Sequence, residues 1–131
     1  MMRGLWMMLF LLMLCGISEL RAEQPEGASI EFSTKVIELG ELSQSDDKQI
    51  IRLAYKNIGD VPLVVLEVRT SCSCTDVQFK RDKVLPGKRG VINITMDPSK
   101  APVGSFFRVL QVVSTSTTGV ERITLKAEII E

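Results

Sequence analysis

Histidine is missing from all 131 positions. That removes at once the commonest general acid/base and the commonest metal ligand. Net charge is missing too: 16 Lys and Arg balance 16 Asp and Glu. Taking away Arg3, Arg21 and Glu19 with residues 1–22 leaves 14 basic and 15 acidic residues. A balance this even gives no overall electrostatic footprint for nucleic acid or an anionic membrane. Aromatic residues are scarce at 5%, with one Trp and one Tyr, so aliphatic packing must carry the core. Of the three cysteines, only Cys72 and Cys74 lie beyond the N-terminal segment. Past that segment no stretch has a helical period. Gly-rich phosphate loops and hydrolase nucleophile elbows are lacking as well.

The N-terminus does have a pattern. Arg3 is followed by the apolar run Leu5–Cys15 and then by small and polar residues, the three-part layout of a secretory signal peptide. The run is shorter than the roughly 20 apolar residues of a spanning helix. Cleavage sites are expected after Ser18 or after Ala22. A buried N-terminal helix is the alternative, but the segment has no amphipathic face and concentrates five of the six methionines and the single Trp. Lipidation of Cys15 is a further alternative, with Leu14 where such a site normally has a small residue. The organisation expected is a signal peptide over 1–22, a flexible lead-in over 23–29 and one domain over 30–131.

That domain reads as all-β. "KQIIRLAYKN" puts Ile51, Leu53 and Tyr55 on one face. "VPLVVLEVRT" is expected to place Val64, Leu66 and Val68 on one face, with Val65, Glu67 and Arg69 opposite. Pro62 fits only near the start of that strand or on an edge. "VINITM" sends Ile92, Ile94 and Met96 inward. "SFFRVLQVVS" can bury Phe106, Leu110 and Val112. "ERITLKAEII" aligns Ile123, Leu125, Ala127 and Ile129. Gly40 interrupts "KVIELGEL". Turns are expected at Asn57 and Gly59, residues suited to positive φ, at Pro86-Gly87, and after Gly104's preceding loop. Phe32, Phe79, Phe106, Phe107 and Tyr55 are the rings available to a core. Seven to eight short strands with alternating faces predict an antiparallel Ig-like β-sandwich.

"ELGEL", "YKNIGDVPLVVLEVRTSCSCT", "LPGKRGVINI", "FFRVLQVVSTS" after Gly104, and "ITLKAEI" together resemble a bacterial family of secreted Ig-like domains of unknown function. That family has a Cys-x-Cys-Thr motif and is akin to the hydin-like and major-sperm-protein-like sandwiches. The resemblance spans Phe32 to Ile129 and implies a fold and a compartment, but no activity. The family usually has glycine between its cysteines; here Ser73 restricts the backbone of the loop. Antibody domains are a poorer match, because their cysteines are distant and pack on a tryptophan.

Three uses of Cys72 and Cys74 are open. An oxidising compartment favours a local disulfide, although residues two apart in an extended strand approach the roughly 7 Å limit of Cα separation, so the loop must bend. Two thiolates suit a soft ion such as Cu(I), whereas a closed zinc site needs four ligands. Inert thiols filling a strand-to-loop corner are the third. Thiol catalysis would need a cation, with Arg69 and Lys80 nearest in sequence. "NIT" at Asn93 matches a glycosylation sequon by chance, in mid-strand. "SDD" at 45–47 and "KRDK" at 80–83 read as solvated turns. The function expected is an exported, non-enzymatic binding or structural module, periplasmic or at the cell surface. Its partner is a protein or envelope component that adds a strand to a sheet edge or docks on loops at one end. The corner at Cys72–Cys74 and the "VLPGKRG" turn are the expected functional end. The alternative is a periplasmic thiol-redox or Cu(I)-handling protein. No nucleic-acid partner and no transmembrane segment after cleavage are expected.

Overall fold

The computed structural model describes residues 27–131; the segment expected to be a signal peptide and Cys15 lie outside the described residues. Eight strands form in chain order. They are β1 (Ile30–Phe32), β2 (Val36–Ser43), β3 (Gln49–Asn57), β4 (Val65–Arg69), β5 (Thr75–Phe79), β6 (Arg89–Met96), β7 (Gly104–Ser114) and β8 (Val120–Ile130). A single 3-10 turn, Pro98–Lys100, follows β6 and is capped by Asp97, whose side chain accepts from the Ser99 amide.

Two four-stranded sheets pack face to face, in the orders β1-β3-β6-β5 and β2-β8-β7-β4. Alternation decides what lies between them. Leu53, Ile92, Ile94, Met96, Leu110, Val112, Ile123, Leu125 and Ile129 are essentially inaccessible. Each such aliphatic side chain contributes roughly 1.5–3 kcal/mol of burial. All of them are on the faces that the sequence pattern turns inward.

Three features depart from that pattern. The ladder between β2 and β8 is parallel, while all the others are antiparallel. Residues 33–35 carry the chain from β1 in one sheet to β2 in the other. Three extended residues reach about 10 Å, the usual gap between stacked sheets. Face alternation says nothing of strand direction, so this could not be read from it. The second departure is in β4, whose register slips between Val65 and Glu67. The bulge turns Val65 fully inward, leaves Leu66 45% exposed and brings Val68 against the core, so Val68 does not share the face of Leu66 as expected. One extra residue in a strand inverts the alternation beyond it. Third, Phe107 is outward and exposed: its neighbour Phe106 takes the core position, and adjacent strand residues point to opposite faces. The Lys126 ammonium lies 5.8 Å from the centre of the Phe107 ring.

Gly40, at φ 70°, sits in the slipped stretch of β2 between Glu38 and Glu41. Gly27–Ser29 are tied into the fold. The Gly27 amide donates to Asp60 Oδ1, the Ala28 carbonyl accepts from the Thr117 amide, and the Ser29 carbonyl accepts from the Ile58 amide.

Candidate functional site

β4 ends one sheet and β5 ends the other, and residues 70–74 carry the chain between them. Cys72 and Cys74 therefore sit where the polypeptide changes sheets. The bend that this crossing needs is closed by the Thr75 amide, which donates to the Cys72 carbonyl at 3.2 Å. The Cys74 amide donates to Cys72 Sγ at 3.3 Å, and the Asp97 amide anchors the Cys74 carbonyl at 2.8 Å. The Cα atoms come to 5.2 Å and the two sulfurs meet, a separation inside the range that a disulfide spans. Ser73 reaches this geometry without a positive φ.

The pair is asymmetric. Cys74 is buried in the core, whereas Cys72 packs against the core from a half-exposed position. The two cations considered from sequence are placed differently. Arg69 is paired with Glu67 at 3.2 Å. Lys80 follows the far end of β5, about 17 Å along a five-residue strand from the corner. Among the described residues, no three His, Cys, Asp or Glu side chains gather around a metal position.

The "VLPGKRG" turn is well formed but lies at the opposite end of β5. Thr75 pairs with Met96 at the cysteine end, and Phe79 with Ile92 towards the other. The two segments expected to share a functional end do not share one. Within the turn, the Lys88 amide donates to the Leu85 carbonyl, and Gly87 has φ 80° after Pro86. That is the arrangement in which Pro presets the first central φ and Gly supplies the positive second one.

Asn57 and Gly59 act otherwise than expected, since neither has a positive φ. Asn57, with no exposed surface, is a hydrogen-bond hub. Its Nδ2 donates to the carbonyls of Val61 at 2.7 Å and Val84 at 2.9 Å, and its Oδ1 accepts from the Gly59 amide at 2.9 Å. Its backbone holds the Lys88 carbonyl and the Gly87 amide. One side chain thus ties the 58–63 loop to the 84–88 turn. Gly59 is required by proximity: a Cβ there would fall 2.1 Å from the Gly27 carbonyl oxygen. Pro62 is exposed and precedes β4, and Gly104 opens β7 at φ 121°.

Tyr55 was legible from sequence only as a core ring. It lies opposite Gly90, where an added Cβ would fall 2.3 Å from the phenol carbon Cζ, so the ring occupies the space that a side chain at 90 would fill. Burial pushes its phenol pKa above the ordinary value, and the Asp82 carboxylate adds to the shift.

Residues 30–129 match DUF1573, a family of proteins of unknown function. The chain belongs to the DUF1573 family. No curated protein matches it. Solved structures show what this DUF1573 domain resembles. A protein of unknown function from Porphyromonas gingivalis W83 superposes with TM-score 0.70 at 19% identity, over 82% of this chain and 50% of that one. The PapD-like domain 7 of human CEP192 gives TM-score 0.65 at 13% identity, over 88% and 96%. The periplasmic chaperone SfaE gives 0.59 at 11%, over 79% and 60%. At such identities the likeness is one of fold: an all-β sandwich of the PapD-like and Ig-like kind. No enzymatic family is indicated. Among the described residues no helix is long and apolar enough to cross a membrane.

Proposed function

We propose that this DUF1573 domain is an exported, non-enzymatic binding module of the cell envelope that takes a partner strand along the β4–β5 side of the sandwich. The observation that carries this is the placement of two terminal strands together. Both sheets end on that side, in Val65–Arg69 and Thr75–Phe79. An edge strand presents unpaired N–H and C=O groups, which an extended segment can complete. The side is closed at both ends. Leu63 and Val84 exchange backbone hydrogen bonds at 2.9 and 2.7 Å at one end, and the Cys72–Cys74 corner closes the other. In this reading the two cysteines form a disulfide that braces the sheet crossing, and their 5.2 Å Cα separation supports it. Export rests on the signal-peptide pattern of residues 1–22, with the likeness to a periplasmic chaperone in support.

A photo-crosslinking residue placed at Glu67 or Asp76, in cells of the native host, tests the binding surface. A discrete adduct from these edge positions, absent when the crosslinker replaces Lys126 on the outer face of central strand β8, is the expected result. Equal labelling from all three positions, or from none, overturns it. Intact mass with and without alkylation tests the brace. A mass two hydrogens low and refractory to alkylation is expected; two alkylated thiols in the exported protein would remove the brace and bring the Cu(I) and thiol-redox reading forward.

A further inference from the structure

The even charge of the chain conceals a local imbalance. A groove of about 760 Å³ opens beside the turn after β5. Its walls hold Arg52, Lys80, Lys83, Lys88 and Arg89, with Asp82 as the one acidic residue. Residues 27–131 carry 14 Lys and Arg and 13 Asp and Glu. The groove takes five of the former and one of the latter, leaving nine basic against twelve acidic residues elsewhere. The ion pairs among the described residues, Lys35–Glu121 and Arg69–Glu67, involve none of these five cations.

The fold gathers them from separate segments. Arg52 and Asn93 are cross-strand partners, as are Gln78 and Asn93, so the three form one row across β3, β6 and β5. Arg89 begins β6 on the same outward face, because its neighbour Gly90 is inward opposite Tyr55. Lys80, Lys83 and Lys88 come from the β5–β6 loop, which the Asn57 hub and the Leu63–Val84 bridge hold in place. Bringing five like charges to one concave surface costs Coulomb energy that a bound anion relieves. Arg52 and Arg89 offer planar guanidinium forks suited to phosphate or carboxylate. Asn93 and Gln78 line the same space and supply neutral donors, and the inward Tyr55 ring borders it where Gly90 has no side chain.

We infer that this groove is a binding site for a small polyanion, a ligand carrying at least two phosphate or carboxylate groups. The volume falls in the range of small-ligand sites. Single-stranded nucleic acid is disfavoured by the aromatic inventory. Such binding uses exposed rings as stacking platforms, whereas Phe79 is half-buried and already carries the Arg81 guanidinium 5.7 Å from its ring centre. The site borders the proposed edge, sharing Gln78 and Phe79 of β5, but it lies on the outer face of the β3–β6–β5 sheet and does not depend on strand addition.

Calorimetric titration of the purified protein with inorganic pyrophosphate and with citrate at low ionic strength tests the inference. Heparin serves as the long-chain comparison. Saturable binding of either small anion is expected, weakening about tenfold or more between 20 and 200 mM salt as screening grows. Arg52→Gln with Arg89→Gln should weaken it about tenfold further. Arg69→Gln with Arg122→Gln, on the outer face of the other sheet, should leave it within about twofold. Each comparison rests on one guanidinium pair contributing about 1.4 kcal/mol or more. An independent readout is the phenolate absorbance of Tyr55, whose titration should move to still higher pH when the anion is bound. Absence of binding by both small anions overturns the inference. So does equal loss in the two double variants. Binding of heparin alone would also overturn it and make the surface a track for a long polyanion.

Discussion

Asn57→Ala should be among the most damaging single substitutions in this protein at a residue that belongs to no apolar cluster. Three side-chain hydrogen bonds disappear: two donated by Nδ2 to the carbonyls of Val61 and Val84, and one from the Gly59 amide to Oδ1. They are not equivalent. The Val84 carbonyl keeps the Leu63 amide as a donor, and Val61 is exposed enough for water to replace the lost partner. The half-buried Gly59 amide is the group left worst off. Each lost bond contributes about 0.5–1.5 kcal/mol, and a buried orphan costs about 1–3 kcal/mol. Two lost bonds and one orphan come to about 2–6 kcal/mol, or a fall in Tm of about 10–35 °C for a domain of this size. Asn57→Asp gives a sharper signature. It keeps the acceptor for Gly59 but points its other carboxylate oxygen at the two carbonyls in a site without exposed surface, so its carboxyl pKa is raised in the folded state. The sign follows from linkage. A raised folded pKa means that stability is retained below the unfolded value, about 4, and lost as pH rises through the folded value. Urea unfolding of both variants at pH 4.5 and 7.5 checks this. The Asp variant should lose more than the Ala variant at pH 7.5 and recover towards wild type at pH 4.5. A loss below about 0.5 kcal/mol for Ala, or an Asp deficit independent of pH, would refute the hub.

Other consequences are accessible to the same methods. Gly59→Ala should destabilise far more than Gly87→Ala, although only Gly87 has a positive φ. At 59 the new methyl meets backbone at 2.1 Å, while at 87 nothing lies within 4 Å, leaving only the roughly 1–2 kcal/mol of a left-handed alanine; comparable Tm losses would contradict this. Tyr55 is the only tyrosine, so absorbance near 295 nm reports it alone. It should titrate above the ordinary phenol value of about 10, and Asp82→Asn should bring it part of the way back, burial being the larger cause. Folding stability should accordingly fall as pH rises past the unfolded value, because the folded state resists losing that proton. If Cys72 and Cys74 are bonded as proposed, reduction should cost only about 1–2 kcal/mol, since a three-residue ring restricts the unfolded chain little. A loss above about 4 kcal/mol in thermal melts with and without reductant would assign the bond a larger role.

Sequence alone determined the fold class and most of the core. A period of two is a local property, and Ile92, Ile94, Met96, Leu110, Val112, Ile123, Leu125 and Ile129 declare their faces without reference to anything distant. The Leu85–Lys88 turn was legible for the same reason: Pro86 and Gly87 fix its dihedrals themselves. Tertiary structure decided what depends on partners far along the chain. The bulge that turns Val65 inward is a matter of register against β7, and the parallel entry of β2 depends on where β8 lies. Asn57 reads as a turn residue until the loops at 59–61 and 84–88 arrive around it. The cysteine corner and the "VLPGKRG" turn look close in sequence, but β5 holds them apart. The basic groove is the clearest case. Charge summed along a chain is indifferent to position, whereas a sheet face brings Arg52, Arg89 and three loop lysines together and leaves the compensating carboxylates elsewhere.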